Sequence, residues 1–230
     1  MARALLLAHH GVALAHPNPM VGAIVVKNEQ SVGEGFHTYE ERKHGETIAL
    51  EQAGGDARGA TLYLSLEPCC HTGRTGPCTQ AIIEAGITRV VAAMQDPNPK
   101  IAGSGFRALR SAGIEVSVGI REHDARRLNE AFAKWITTGL PFVTLKTALT
   151  LDGQIVATVP RRPRHSHAAR QSSTTWITSP ESREEVQRLR HASDALLTGI
   201  GTVLADNPRM TDRTNLPRRR PLVRAIVDSK

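Results

Sequence analysis

His44-Gly45-Glu46, followed at a distance by Pro68-Cys69-Cys70-His71-Thr72-Gly73-Arg74-Thr75-Gly76-Pro77-Cys78, is the pair of segments whose reading decides this fold. One histidine and two cysteines on short loops supply three donors of the kind zinc prefers, and leave a fourth position for water. Glu46, two residues from His44, cannot easily ligate the same ion but can sit beside that water. Taken singly, each residue has a plainer reading. His44 would be a satisfied or solvent-facing histidine, and Cys69 and Cys78 small buried hydrophobes. Together with Glu46 and Pro68, at these spacings, they read as a metal centre. Cys70 is the rival ligand, but adjacent residues point apart, which leaves it a bystander. A structural zinc with His71 as fourth ligand stays open at this point.

Working outward, Thr61 to Leu66 reads as a strand leading to Cys69, and Cys78 to Ala85 as a helix ended by Gly86. His44 opens a helix through Ala53, stopped by Gly54-Gly55. Helix N-termini carry partial positive charge and free N–H groups, which favour a thiolate. Upstream, Ala2 to Ala15 has helical periodicity, and His16-Pro17-Asn18-Pro19 is neither helix nor central strand. Met20 to Val26 is a buried strand with its hairpin partner at Val32 to Phe36. Downstream, Arg89 to Met94, Gly103 to Ala112 and Ile114 to Val118 continue a strand, helix, strand alternation, and Glu122 to Thr138 is one longer closing helix. This order predicts an α/β fold, a sheet with helices on both faces.

The chain has 230 residues, room for one large or two smaller domains, and 40% hydrophobic residues, enough for a core. No apolar run approaches the roughly eighteen residues of a membrane span. Residues 1–15 carry His9 and His10 mid-stretch, which suits an amphipathic helix and not a secretory signal. Three cysteines, an odd number, suit a reduced cytoplasm and metal binding better than a disulfide framework. Charge is uneven: residues 1–140 hold 14 Lys+Arg against 14 Asp+Glu, and residues 141–230 hold 15 against 8. The shift predicts two domains, 1–140 and 141–230, meeting near Gly139-Leu140-Pro141. The basic clusters Arg161-Arg162-Pro163-Arg164 and Arg218-Arg219-Arg220 read as solvated loops or as a surface for phosphorylated small molecules or nucleic acid. With only 3% aromatic residues there is little to stack bases on, so nucleic acid is not the expected partner.

The histidine, glutamate and Pro-Cys elements match the signature H-x-E…P-C-x-x-C of zinc deaminases, except that eight residues, not two, separate the cysteines. That long loop, with residues 16–22 (HPNPMVG), 66–78 (LEPCCHTGRTGPC) and 95–100 (QDPNPK), resembles the bifunctional riboflavin biosynthesis deaminase–reductases. Residues 146–153 (KTALTLDG), 176–179 (WITS), 201–208 (GTVLADNP) and 226–229 (IVDS) look like the reductase half of that family. The resemblance covers nearly the whole chain in order. It implies a cytidine-deaminase-like mixed sheet followed by a dihydrofolate-reductase-like α/β domain. In the first site His44, Cys69 and Cys78 would hold one zinc and Glu46 would carry protons. Asn18, His37, His71, Arg74, Asp96 and Asn98 match positions near a phosphorylated pyrimidine. In the second site Leu149, Trp176, Thr202, Asp206 and Ser229 match NADPH positions, and Thr174, Arg190, Met210 and Arg213 match the reductase's substrate positions. No membrane partner is implied, and self-association into a homo-oligomer is compatible with the resemblance.

The chain departs from the family pattern in three places. Position 45 is Gly where the family usually has Ala, the segment between Gly153 and Trp176 is longer, and the chain stops at Lys230, where the family's reductase continues. The last departure leads to the expectation of an incomplete reductase half. Two rival functions share the metal pattern. A nucleoside or tRNA deaminase leaves residues 141–229 unexplained, and a non-catalytic zinc-stabilised binding module has no need of Glu46.

Overall fold

The computed structural model describes residues 1–73, 76–155 and 176–229. Arg74, Thr174 and the basic stretch 161–170 fall outside them. The described residues form two compact units, Met1–Phe142 with Leu216–Pro221, and Val143–Asn215 with Leu222–Lys230.

The first unit is built on a five-stranded mixed sheet in the order β2-β1-β3-β4-β5. Strands β1 (Gly22–Lys27) and β2 (Gln30–Phe36) form an antiparallel hairpin, and β3 (Thr61–Leu64) pairs antiparallel on the other side of β1. Strands β4 (Arg89–Ala92) and β5 (Glu115–Val118) add on in parallel, joined by helical crossovers. Side chains alternate across a strand, and the two faces of the sheet sort accordingly. Ala23, Val25, Leu62 and Leu64 point to one face, where they pack with Leu50, Ile82, Val90 and Leu109 in the largest core cluster. Ile24 and Tyr63 point to the other face, against Ala4 and Leu7 of α1 (Ala2–His9). Each large side chain fully buried here contributes ~1.5–3 kcal/mol relative to exposure, which is what holds the helices on the sheet.

The first face is covered by α2 (Gly45–Ala53), α3 (Cys78–Glu84) and α4 (Ser104–Ser111). A Cβ added at Gly22 would lie 2.1 Å from the carbonyl oxygen of Ala4, so a side chain there would push α1 off the sheet. Two expectations about helix length need correcting. Helix α1 stops at His9 instead of running to Ala15: His10, Gly11 and Val12 donate to the carbonyls three residues back, and Ala13 takes φ 60°. The helix expected over 122–138 is two, α5 (Glu122–Leu128) and α6 (Glu130–Thr138). The break is Asn129, 2% exposed, whose Oδ1 accepts from Met20 N at 2.8 Å and whose Nδ2 donates to Met20 O at 2.9 Å.

In the second unit α7 (Pro180–Ala192) starts at Ser179, whose hydroxyl accepts from the Ser182 N–H, with Pro180 in the first turn. It leads into β6 (Ala195–Gly199), α8 (Ile200–Asp206) and β7 (Val223–Val227), and β6 and β7 pair in parallel. No helix among the described residues is long and apolar enough to cross a membrane.

Candidate active site

Three chain segments meet at one end of the first unit's sheet. His44 is the residue just before α2, with extended backbone (φ −81°, ψ 157°). Cys78 is the first residue of α3, and Cys69 lies in the loop that leaves β3. His44 Nδ1 is 3.2 Å from Cys78 Sγ and 3.6 Å from Cys69 Sγ, and the Cys78 N–H donates to Cys69 Sγ at 3.3 Å. All three donor atoms lie within 4.8 Å of one another. Among the described residues, neither Cys70 nor His71 joins the group; Cys70 is half-buried and His71 exposed.

Glu46 is in the first turn of α2, 2% exposed, and among the described residues its Oε2 has no hydrogen-bond partner. A buried carboxylate oxygen without a partner costs free energy unless a ligand completes it. An imidazole with two thiols and an open side is a donor set that suits zinc. The residues therefore fit the ion, and Glu46 faces the same place. Position 45 is tightly enclosed: a Cβ there would lie 3.1 Å from Val21 O and 3.2 Å from Gly35 O.

The electrostatics set the roles apart. The hydrogen bond from the Cys78 thiol holds the Cys69 thiol far below its ordinary value, helped by His44 and the Cys78 N–H. Cys78 is pushed up by the same bond and by burial. The contact with Cys69 raises His44 against the opposing effect of burial, and burial raises Glu46.

Around this centre the structure collects several of the residues expected near a substrate. His37 is buried and its ring stands edge-on to His44, centroids 5.1 Å apart. Its Nδ1 donates to Lys43 O at 2.9 Å, which in the neutral ring leaves Nε2 to accept from Asn18 Nδ2 at 2.9 Å. Asp96, raised chiefly by burial, also feels the charges of Glu67, His71 and Cys69. Its Oδ1 accepts from Asn98 N, and Asn98 Oδ1 from Lys100 N, so both side chains also shape their own turn.

Sequence reasoning passed over Glu67, which is 4% exposed. Its carboxylate accepts from the N–H groups of Asp96 (3.1 Å), Gly103 (2.9 Å), Gly105 (2.8 Å) and Phe106 (3.4 Å). Glu67 thus caps α4, which has no side-chain cap of its own, and ties the Asp96 turn to the loop bearing Cys69. An acidic residue closing an apolar strand was the one available signal.

In the second unit, Arg190 Nη1 donates to Thr211 O at 2.9 Å, and burial and the nearby Arg213 charge lower its pKa. Among the described residues Arg190 Nε is buried without a hydrogen-bond partner, and Met210, three residues before Arg213, is buried. Thr202 lies on α8 and Ser229 just past β7, so both follow the C-terminal ends of the parallel pair, where open α/β sheets bind ligands. Asp206 ends α8. Leu149 is half exposed, and Trp176 is 64% exposed with the Arg183 guanidinium 4.3 Å over its ring.

Sheet order and donor cluster together make the first unit a cytidine-deaminase-like zinc domain. Residues 1–94 match the cytidine and deoxycytidylate deaminase zinc-binding region, and residues 141–230 match the RibD C-terminal domain. The chain is 48% identical over 228 residues to the riboflavin biosynthesis protein RibD of Aquifex aeolicus, covering 99% of this chain and 60% of that protein. It is 48% identical over 213 residues to RibD of Escherichia coli, covering 93% and 55%. Of solved structures, a Thermotoga maritima diaminohydroxyphosphoribosylaminopyrimidine deaminase/5-amino-6-(5-phosphoribosylamino)uracil reductase superposes with a TM-score of 0.84 at 43% identity, covering 99% of this chain and 62% of that one. Acinetobacter baumannii RibD gives 0.82 at 41%, covering 100% and 63%. Over nearly its whole length the chain is similar to these RibD proteins, and it spans about 55–60% of the length of these curated relatives.

Proposed function

We propose that residues 1–140 form a zinc-dependent deaminase domain acting on 2,5-diamino-6-ribosylamino-4(3H)-pyrimidinone 5′-phosphate in riboflavin biosynthesis. The observation that carries this reading is Glu46, a buried carboxylate with an unpartnered oxygen beside a three-donor cluster. A structural zinc site gains nothing from such a group, whereas hydrolytic deamination needs one residue that both takes and gives protons.

His44, Cys69 and Cys78 would hold the zinc. When bound, it supplies Lewis-acid chemistry that lowers the pKa of water toward ~7. Glu46 accepts a proton from the attacking water as the new C–O bond forms at the amino-bearing ring carbon. It passes that proton to the ring nitrogen, takes the second water proton from the new C–OH group, and gives it to the departing amine. The C–N bond breaks with release of ammonia, and the net change is a cyclic guanidine plus water to a cyclic urea plus ammonia. Burial raises Glu46 above the usual carboxylate range, which favours a group that takes up a proton and passes it on. Asn18, His37, His71, Asp96 and Asn98 would orient the pyrimidine, and Arg74 would hold the 5′-phosphate.

Residues 141–230 would be part of an NADPH-dependent reductase domain that reduces the product's ribosyl chain to ribityl. Leu149, Trp176, Thr202, Asp206 and Ser229 are assigned to the cofactor, and Thr174, Arg190, Met210 and Arg213 to the substrate. Three free cysteines fit a reduced cytoplasmic setting. Purified zinc-loaded protein should release ammonia from the pyrimidine phosphate and not from cytidine or tRNA. Release from cytidine or tRNA instead would move the assignment to another deaminase class, and none from any substrate would favour a binding module.

A further inference from the structure

Among the basic clusters singled out in the sequence, Arg218-Arg219-Arg220 falls within the described residues, in the segment Leu216–Pro221 that belongs to the first compact unit. Arg219 is not displayed to solvent: its side chain is 11% exposed. Its backbone N–H donates to Ala13 O at 2.9 Å, and its Nη1 donates to His16 O at 2.9 Å. Its Nε donates to Glu40 Oε1 at 2.8 Å, and the guanidinium lies 3.5 Å from the centre of the Tyr39 ring. Two donors and one face of the guanidinium are thus committed to protein, which argues against a free phosphate-capturing arginine.

The atoms it holds belong to one structure. Ala13 to His16 form the turn after α1, and Asn18 N donates to Ala15 O at the end of that turn. Tyr39 N donates to Leu14 O, which ties the same turn to the stretch after β2. From there Asn18 reaches His37, and His37 stands edge-on to His44. We propose that Arg219 is a positioning residue for the deaminase site, holding from behind the turn that presents Asn18 to substrate. A residue some two hundred positions away in the sequence therefore supports a loop of the first site.

The Glu40 pair contributes little to this, because Glu40 is 74% exposed and such a pair is screened by solvent. The carbonyl of His16 and the ring of Tyr39 make the difference. Lysine can supply a charge there but not a planar group that stacks and donates at the same time.

The inference rests on the proposed deaminase reading, and its test separates the two. Arg219→Ala, Arg219→Lys and Glu40→Ala are made in the full chain, with zinc content, ammonia-release kinetics and amide exchange over residues 11–20 measured on each. Arg219→Ala should raise KM by about tenfold or more with kcat within about threefold, the pattern of lost ground-state positioning. It should also speed exchange of the Asn18 amide while zinc content holds. Arg219→Lys should recover only part of KM, and Glu40→Ala should resemble the wild type. Unchanged KM and exchange in Arg219→Ala would overturn the inference, as would loss of zinc or of the whole fold, which would make Arg219 a general stability residue. If the wild type releases no ammonia, the deaminase reading fails by itself, and the exchange data alone decide whether the tether exists.

Discussion

Replacing Glu67 by Gln is the perturbation whose size the structure sets most directly. The side chain keeps its shape and volume, so no cavity opens. Only the acceptor capacity changes. With the amide oxygen placed where Oε1 now accepts from Gly105 and Phe106, the NH2 group faces the N–H donors of Asp96 and Gly103, which Oε2 serves at 3.1 and 2.9 Å. Two partly buried donors then meet a donor, and a buried donor left unsatisfied costs about 1–3 kcal/mol. The sum is about 2–6 kcal/mol, with the lower half favoured where the Asp96 turn can relax toward water. Loss of the negative charge at the start of α4 adds a smaller cost of about 0.3–1 kcal/mol. Since whole domains are stable by only about 5–15 kcal/mol, the change is a large share. Urea unfolding of the zinc-loaded protein, followed by far-UV circular dichroism, should show a lower midpoint at unchanged slope. Amide exchange at Gly105 and Phe106 should accelerate in parallel. A loss below about 1 kcal/mol, with those amides still protected, would show that the carboxylate is not what holds α4 and the Asp96 turn in place.

The other expectations concern the metal and a second buried clamp. Glu46→Gln should keep zinc and fold, yet release ammonia at least about a hundredfold more slowly, as expected for a lost general acid–base; near-wild-type turnover with zinc bound would remove its proton-carrying role. Elemental analysis should find zinc lost from Cys69→Ser and retained in Cys70→Ser, and equal loss from both would overturn the choice of ligands. Asn129→Ala leaves the N–H and C=O of Met20 without their partners, at about 1–3 kcal/mol each. Its urea midpoint should therefore fall well below that of an exposed control such as Glu84→Ala, and equal midpoints would mean that water replaces the clamp.

Much of the centre was legible in the chain itself, because its information is local. A histidine, a glutamate two residues on, and cysteines beside prolines declare donor chemistry, and the periodicity around them declares which strands and helices carry them. The βαβα order likewise foreshadowed a sheet with helices on both faces, since Val25, Leu62 and Val90 mark buried strands wherever the sheet is finally placed. Local signals could not reveal which distant backbone groups an isolated polar side chain would serve. Asn129 breaks a continuous helical pattern only because Met20 lies within its reach, 109 residues away in sequence. Glu67 reads as the acidic end of a strand until the start of α4 arrives above it. Arg219 reads as one of three surface arginines until Tyr39 and His16 close around it. Donor chemistry belongs to a residue and travels with the sequence. The pairing of a buried charge or amide belongs to the space around it, and only the folded chain creates that space.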